Sequence, residues 1–339
     1  EFFQTGVSDI IDKIFGKAMS TLLESIENYL LGCHDAVGLL VFVRVQHSLR
    51  LVMQRRRIAV LDPFFERLSQ VLWPRIKAIL ELNISSMKNA TNRKFGPVEL
   101  APLYVTKRYA ELMSSISTLT SAAGTAAGSG STDGSSHLAQ ELYHLRSELV
   151  ALLQRLAHAH FMTSKDQHVF FINNFDQILT LYEERHVVNG DSREFENLLL
   201  AQRELFAEAE VRGAFPRLVS FVTQTEQMLN TLAGAESGSA ESQEPPQLDA
   251  GIVEALVHDF SQNWRGGIKQ INDDVLAYFA NFRNGMEILK QVLTQLLLYY
   301  TRFQDLIKKV WTGKAPTFTR DIVSTATIMM EIKKYNRVL

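Results

Sequence analysis

The sequence predicts an all-α protein built from helical bundles, and two observations carry that prediction. Outside two low-complexity stretches, apolar residues recur at steps of three and four nearly throughout the 339 residues, as on one face of an amphipathic helix. Short turns rich in glycine and proline separate these stretches, and no pair of strand-like runs accompanies them. Because 46% of the residues are hydrophobic, the chain can bury a sizeable core.

Two low-complexity stretches divide the predicted helices into three groups. Residues 121–136 are almost wholly Ser, Ala, Gly and Thr, and residues 233–250 are rich in Gly, Ser, Glu and Pro. Neither stretch has enough apolar surface to offset the entropy lost on ordering, so we expect two flexible loops. The predicted organisation is a first bundle over 1–120, a middle bundle over 137–232 and a C-terminal bundle over 251–339.

The first third begins with a helix over about 9–30, which Ser8 can cap. Residues 32–57 continue helically. The run Val41-Phe42-Val43 would also suit a strand, but the absence of a partner strand favours the helix.

A further helix begins near Asp62, read as its N-cap, with Pro63 at the first helical position. Pro74 should kink this helix or restart it. Residues 92–102, which hold three turn-forming Gly and Pro residues, are predicted to be a turn. The helices that follow are predicted at about 103–120, 137–162, 166–184, 192–211, 215–232, 250–285, 285–311 and 319–335, with a turn over 313–316 before the last of them.

The stretch 285–311 carries the most apolar surface. Its apolar residues form one wide seam that extends around most of the helix, so we expect this helix to be central to its bundle. The seam consists of Leu289, Leu293, Leu296, Leu297, Tyr300, Phe303, Ile307 and Val310, widened by Leu298, Tyr299 and Leu306.

The sequence contains no arrangement of residues typical of catalysis, so we predict no catalytic residue, no cofactor, no metal site and no small-molecule substrate. Two histidines, His158 and His160, lie two apart and would point to different faces of a helix, which is poor for chelation. The single cysteine, Cys33, is expected in the core. With 35 basic against 37 acidic residues, a nucleic-acid partner is not expected.

A run of arginines, Arg55, Arg56 and Arg57, with Arg50 upstream, is the clearest charged feature. One interpretation is a contact for an acidic partner or an anionic membrane surface. The simpler interpretation is a helix C-terminus, where cations complement the dipole and pair with Asp62 or Glu66.

Four segments resemble a known family. They are "RRRIAVLDPFFERLSQVLWPRIKAILELNISSM" (55–87), "HFMTSKDQHVFFINNFDQIL" (160–179), "GMEILKQVLTQLLLYYTRF" (285–303) and "STATIMMEIKKYNRVL" (324–339). Together they resemble the C-terminal half of the vacuolar-protein-sorting fifty-two family, a subunit of the Golgi-associated retrograde protein (GARP) complex. The chain begins Glu1-Phe2 without methionine, so we expect a fragment of a longer protein.

The resemblance implies a non-enzymatic subunit of a vesicle tether for endosome-to-trans-Golgi retrograde transport. It implies an elongated, rod-like stack of helical bundles that binds sibling subunits, Rab-family GTPases and SNAREs. The expected location is cytoplasmic, peripheral on trans-Golgi network and endosomal membranes. The alternative function is a helical regulator of a small GTPase, either an exchange factor or an activating protein. A third possibility is a membrane-surface protein. That function needs a basic amphipathic helix, and only residues 44–57 come close to one.

Overall fold

The chain is all-α, as predicted, in the residues that the computed structural model describes: 2–58, 60–91, 95–124, 132–235, 249–311 and 317–335. No strand occurs within these ranges, so the helical interpretation of residues 41–43 is confirmed. The described helices are α1 (Phe2–Gly32), α2 (Ala36–Arg55), α3 (Asp62–Lys88), α4 (Tyr104–Gly124), α5 (Thr132–His160), α6 (Ser164–Glu184), α7 (Gly190–Ala214), α8 (Pro216–Ala235), α9 (Ala250–Tyr278), α10 (Phe282–Val310), a 3-10 helix (Thr317–Asp321) and α11 (Thr325–Tyr335).

The helices form two compact units. Unit 1 consists of Glu1–Val98, Pro102–His160 and Gln177–Arg193, and unit 2 of Glu99–Ala101, Phe161–Asp176 and Glu194–Leu339. The partition into three bundles stays a prediction. Of the two predicted loops, residues 125–131 and 236–248 lie outside the described residues, as does the whole of the turn predicted over 313–316.

Unit 1 is organised around α3, which packs against α1, α2 and α5, while α2 also packs against α4. A non-helical segment over residues 33–35 separates α1 from α2. The Asp35 carboxylate accepts a hydrogen bond from the Gly38 amide (2.9 Å) and so caps the start of α2. Branched side chains fill the core between these helices. They include Leu30, Leu39, Leu40, Leu68, Leu72, Ile76, Ile79, Leu80 and Ile116.

Helix α3 differs from the prediction in two details. Leu61 occupies the N-cap position without a side-chain hydrogen bond, and Asp62 lies in the first helical turn beside Pro63. Its carboxylate pairs with Arg50 instead of capping the helix. The helix does not restart at Pro74 but is continuous through it.

Unit 2 is organised around α10, which packs against α8, α9 and α11. The predicted seam is buried at Leu289, Leu293, Leu296, Tyr299, Tyr300, Phe303, Leu306 and Ile307. The expectation that apolar contact extends around most of the helix is wrong at Leu298, which is 50% exposed. Polar Lys290, Thr294 and Thr301 are exposed on that same outer side, so α10 is amphipathic.

The boundary between α9 and α10 also differs from the predicted one at residue 285. The chain leaves the helix at Phe279, which is buried, and Asn281 caps α10 with its side-chain oxygen toward the Asn284 amide. The last predicted helix, over 319–335, is likewise divided. The Val323 carbonyl accepts a hydrogen bond from the Tyr300 hydroxyl (2.6 Å), and Ser324 accepts one from the Thr327 amide, which starts α11 there.

Candidate interaction surfaces

The outward face of α2 is apolar where a solvated face would carry charge. Val41, Val45, Leu49 and Val52 are between 40% and 50% exposed. At 3.6 residues per turn they fall within about 80° of one another around the helix axis. We call these four residues the α2 face. The α2 face was not predicted, although the sequence carries a signal for it: apolar residues surround the helix, and no Asp or Glu occurs from 36 to 57.

The four arginines of the predicted basic patch separate into two groups. Arg50 points to α3, where it forms ion pairs with Asp62 (3.1 Å) and Glu66 (3.2 Å), as the simpler interpretation proposed. Arg55, Arg56 and Arg57 are exposed, and their side chains have no ion pair within the described part of the chain. The role of these three residues stays a prediction.

The turn after α2 fixes the position of these arginines. The Ile58 amide bonds to the Met53 carbonyl and the Arg57 amide to the Gln54 carbonyl, both at 2.9 Å. This is the hydrogen-bonding pattern of a Schellman cap, whose central residue adopts a left-handed conformation. Arg57 has a φ of 59° there, where glycine is the favoured residue.

A second exposed apolar stripe lies on α1. Phe15, Leu22 and Tyr29 are seven residues apart and between 52% and 71% exposed. A seven-residue repeat places side chains along one side of a helix, which is the spacing of a helix-packing seam. The neighbouring side of α1 contacts the unit 1 core through Leu23, Ile26 and Leu30.

Unit 1 buries a carboxylate, Asp191, that three side chains bind. Tyr182 donates a hydrogen bond to it at 2.6 Å, Tyr109 at 3.1 Å and Arg146 at 3.1 Å. Burial raises the pKa of Tyr182 and of Tyr109, and the negative charge of Asp191 raises both further. The two hydroxyls are therefore neutral donors at physiological pH, and the cluster serves to join α4, α5, α6 and α7.

Unit 2 contains a comparable ionic group around Lys165. Its ammonium lies 2.7 Å from a Glu210 oxygen and 3.0 Å from an Asp274 oxygen. Desolvation lowers the pKa of Lys165, but the bonds to the two carboxylates outweigh it and leave that pKa above its usual value. Burial raises the pKa of Glu210 against the opposing effect of Lys165. A satisfied cation of this kind holds helices together and offers no free base or nucleophile.

A groove of about 490 Å³ opens in unit 2 between the start of α8 and α9. Phe215, Pro216 and Phe260 form its apolar part, and Arg217 and Asp259 its charged part. These two charged side chains are 3.6 Å apart and pair with each other. The groove lacks a convergent set of polar groups that would mark a reaction site.

No three His, Cys, Asp or Glu side chains are placed to hold a metal ion among the described residues. The ring of His158 bonds through Nδ1 to the Gln154 carbonyl at 2.9 Å. Cys33 is half-buried against the unit 1 core, close to the expected core position. Of the described helices, α2 is long and apolar enough to cross a membrane, by length and composition only, and 22% of its most apolar 18-residue stretch is buried.

The fold defines the class: an all-α protein of packed helices that exposes apolar helix faces. Comparison with known proteins then gives the family, because the profile described as "Vps52, C-terminal" matches residues 1–207. The chain belongs to the Vps52 family.

Similarity to individual relatives extends over nearly the whole chain. The chain is 36% identical to vacuolar protein sorting-associated protein 52 B of Arabidopsis thaliana, over 92% of the chain and 41% of that relative. It is 35% identical to the 52 A protein of the same plant, over 99% of the chain and 44% of the relative. It is 29% identical to the Homo sapiens homologue, over 96% and 42%. The chain thus spans less than half the length of the curated relatives it matches.

Proposed function

We propose that the chain is the C-terminal part of a tethering-complex subunit that acts in endosome-to-trans-Golgi retrograde transport. In this role it is a helical scaffold that binds sibling subunits, Rab-family GTPases and SNAREs, and it works without catalytic turnover. It resides on the cytoplasmic side of trans-Golgi network and endosomal membranes as a peripheral protein, in a rod-like assembly.

Membership of the Vps52 family carries this proposal, and the surface of the chain supports it. The stripe of Phe15, Leu22 and Tyr29 on α1 has the heptad spacing that a partner helix requires. The buried ionic groups around Asp191 and Lys165 have their partners within the fold. They consequently rigidify the helices and are unsuited to proton transfer or nucleophilic attack.

Affinity capture of the full-length protein, followed by identification of the co-purifying proteins, tests the assignment. We expect a stoichiometric set of sibling tether subunits. Recovery of the full-length protein as a monomer under conditions that keep other tethers assembled would contradict the proposal.

A nucleotide assay separates the tether from the alternative GTPase regulator. A tether binds the GTP form of a Golgi Rab selectively and leaves its exchange and hydrolysis rates unchanged. Acceleration of either rate by the purified protein would replace the tether with an exchange factor or an activating protein.

A further inference from the structure

The α2 face is anomalous for a solvated helix surface. The exposed positions of α2 from residue 38 onward are Gly38, Val41, Val45, Ser48, Leu49, Val52, Gln54 and Arg55. Charge is absent from this surface until the last helical turn. A helix that faces only water carries charged and polar residues on its outer side, so the α2 face is suited to an apolar environment.

The inner side of α2 is held firmly by unit 1. Leu39 and Leu40 are buried in the core, and the Gln46 side chain donates to the Phe65 carbonyl (2.7 Å) and to the Ser69 hydroxyl (2.8 Å). Arg50 is paired with α3. These contacts keep one side of α2 in the protein, so the helix can lie along an apolar boundary with its other side but cannot cross a bilayer while unit 1 is folded.

The charge beside the α2 face selects between possible partners. Arg55, Arg56 and Arg57 are exposed at the end of the helix. Asp62 and Glu66 of α3 are engaged by Arg50. An apolar stripe that ends in a cluster of exposed cations combines the two terms that hold a helix at a negatively charged lipid surface, namely apolar burial and attraction to headgroups.

We propose that the α2 face binds the surface of an anionic lipid bilayer, with Arg55, Arg56 and Arg57 contacting the lipid headgroups. The four apolar side chains enter the boundary between headgroups and acyl chains, and α2 lies in the plane of the membrane. This goes beyond the proposed function, because a tether subunit can be recruited through proteins alone and needs no lipid contact of its own.

Vesicle flotation with the purified full chain tests the proposal. The probe is phosphatidylcholine vesicles with and without phosphatidylserine. We expect the protein to float with the anionic vesicles and to stay unbound with the neutral ones. The double variant Arg55→Glu, Arg56→Glu should lower the partition coefficient at least about 25-fold, at about fivefold for each arginine removed from the surface.

Matched variants show whether flotation depends on the α2 face and its arginines, or only on the net charge and the exposed apolar residues of the whole protein. Lys308→Glu with Lys309→Glu makes the same change in net charge at the exposed C-terminus of α10 and should leave flotation unchanged. Val45→Gln with Val52→Gln should weaken flotation, whereas Leu200→Gln with Leu205→Gln, which are similarly exposed on α7, should not.

A site-specific probe localises the contact. The sequence has one cysteine, so Cys33→Ser gives a background in which Val45→Cys or Leu200→Cys can carry an environment-sensitive dye. On anionic vesicles the emission should shift to the blue at position 45 and stay unchanged at position 200.

Three outcomes would overturn the proposal. The first is wild-type protein that fails to float, and the second is equal loss of flotation in the arginine and lysine variants. The third is a pair of substitutions, Val45→Gln with Val52→Gln, that leaves flotation unchanged but abolishes capture of a sibling subunit, which would assign the α2 face to a protein helix. The first two results leave capture of siblings by the wild-type protein untouched and the third requires that capture, so the proposed function is tested separately.

Discussion

At the scale of single residues, buried hydroxyls bring a pH dependence into the fold. Tyr182 and Tyr109 donate to the Asp191 carboxylate in unit 1, and in unit 2 burial raises the pKa of Tyr300 to about 12. Tyrosine in an unfolded chain titrates near pH 10, at about its reference value. Because the folded state holds these protons more tightly, the resulting stability is complete below about pH 10 and is lost as pH rises toward the folded pKa values.

We therefore expect alkaline unfolding that depends on Tyr182. The variant Tyr182→Phe should be less stable at neutral pH by about 1.5–3 kcal/mol, because a hydrogen bond to a charged group is lost. Its stability should also fall less steeply than that of the wild type above about pH 10. Urea denaturation at a series of pH values measures both effects. The control is Tyr143→Phe, since Tyr143 is 57% exposed on α5; equal alkaline slopes in wild type and Tyr182→Phe would contradict the prediction.

A second residue-scale prediction concerns His186, which follows α6 with a φ of 54°. The Val187 amide bonds to the Tyr182 carbonyl and the His186 amide to the Glu183 carbonyl, as in the cap after α2. The left-handed conformation costs a residue with a Cβ about 1–2 kcal/mol. The change His186→Gly should therefore raise the free energy of unfolding by about 1 kcal/mol.

Thermal unfolding measures this gain, with His186→Ala as the control because alanine keeps the Cβ. A stabilisation of the same size in both variants would show that removal of the imidazole, and not relief of the backbone, is responsible.

At the scale of helices, two adjacent glycines in α9 have opposite environments. A Cβ at Gly266 would meet nothing within 4 Å, whereas a Cβ at Gly267 would lie 2.4 Å from the ring of Phe215. That ring is buried and packs on Phe260 at 5.6 Å, so it cannot easily move away.

The pair gives an internally controlled prediction. Gly266→Ala should stabilise the protein by about 1 kcal/mol through helix propensity. Gly267→Ala gains the same propensity but overfills the contact with Phe215, at about 1–3 kcal/mol. In chemical denaturation, the free energy of unfolding of Gly267→Ala should be lower than that of Gly266→Ala by about the cost of that clash. The reverse order would contradict this explanation of the Phe215 contact.

Helix existence was readable from the sequence, but several boundaries and faces were not. Periodicity placed the central turns of α3, α6 and α10 correctly because their apolar residues repeat on one side, although the first residues of α3 and α10 differ from the prediction. The break between α9 and α10 was missed because apolar residues continue across it. The capping role of Asn281 is visible only in the folded structure. The α2 face was missed because periodicity shows which residues are apolar, whereas exposure depends on which side the neighbouring helices α3 and α4 occupy.

The buried clusters lay beyond sequence reasoning for a different reason. Tyr109 and Asp191 are separated by 82 positions, and Lys165 and Asp274 by 109. Only the tertiary fold brings such residues together. The arginine run was visible in the sequence, but its separation into a paired Arg50 and three exposed arginines was not.

At the scale of the whole molecule, the exposed stripe on α1 bears on assembly. Leu22 lies at its centre and is 52% exposed, so a charge there should not disturb the unit 1 core. If a sibling helix covers the stripe, Leu22→Glu places a carboxylate in a desolvated helix interface.

We expect Leu22→Glu in the full-length protein to reduce recovery of at least one sibling subunit in affinity capture. The matched control is Ile252→Glu, which introduces the same charge at an apolar position of α9 that is 61% exposed. Capture that is insensitive to Leu22→Glu would assign sibling binding to another part of the protein.

The order in which the chain contributes to its two units has a practical consequence for deletion mapping. Residues Gln177–Arg193 return to unit 1 after Phe161–Asp176 has contributed to unit 2. A fragment that stops at His160 therefore removes Tyr182 and also Asp191, the buried carboxylate that holds α4 to α7 through Tyr109. Loss of binding in such a truncation would report a misfolded remnant, so point substitutions at exposed positions, and not progressive deletions, are the means to locate partner sites on this chain.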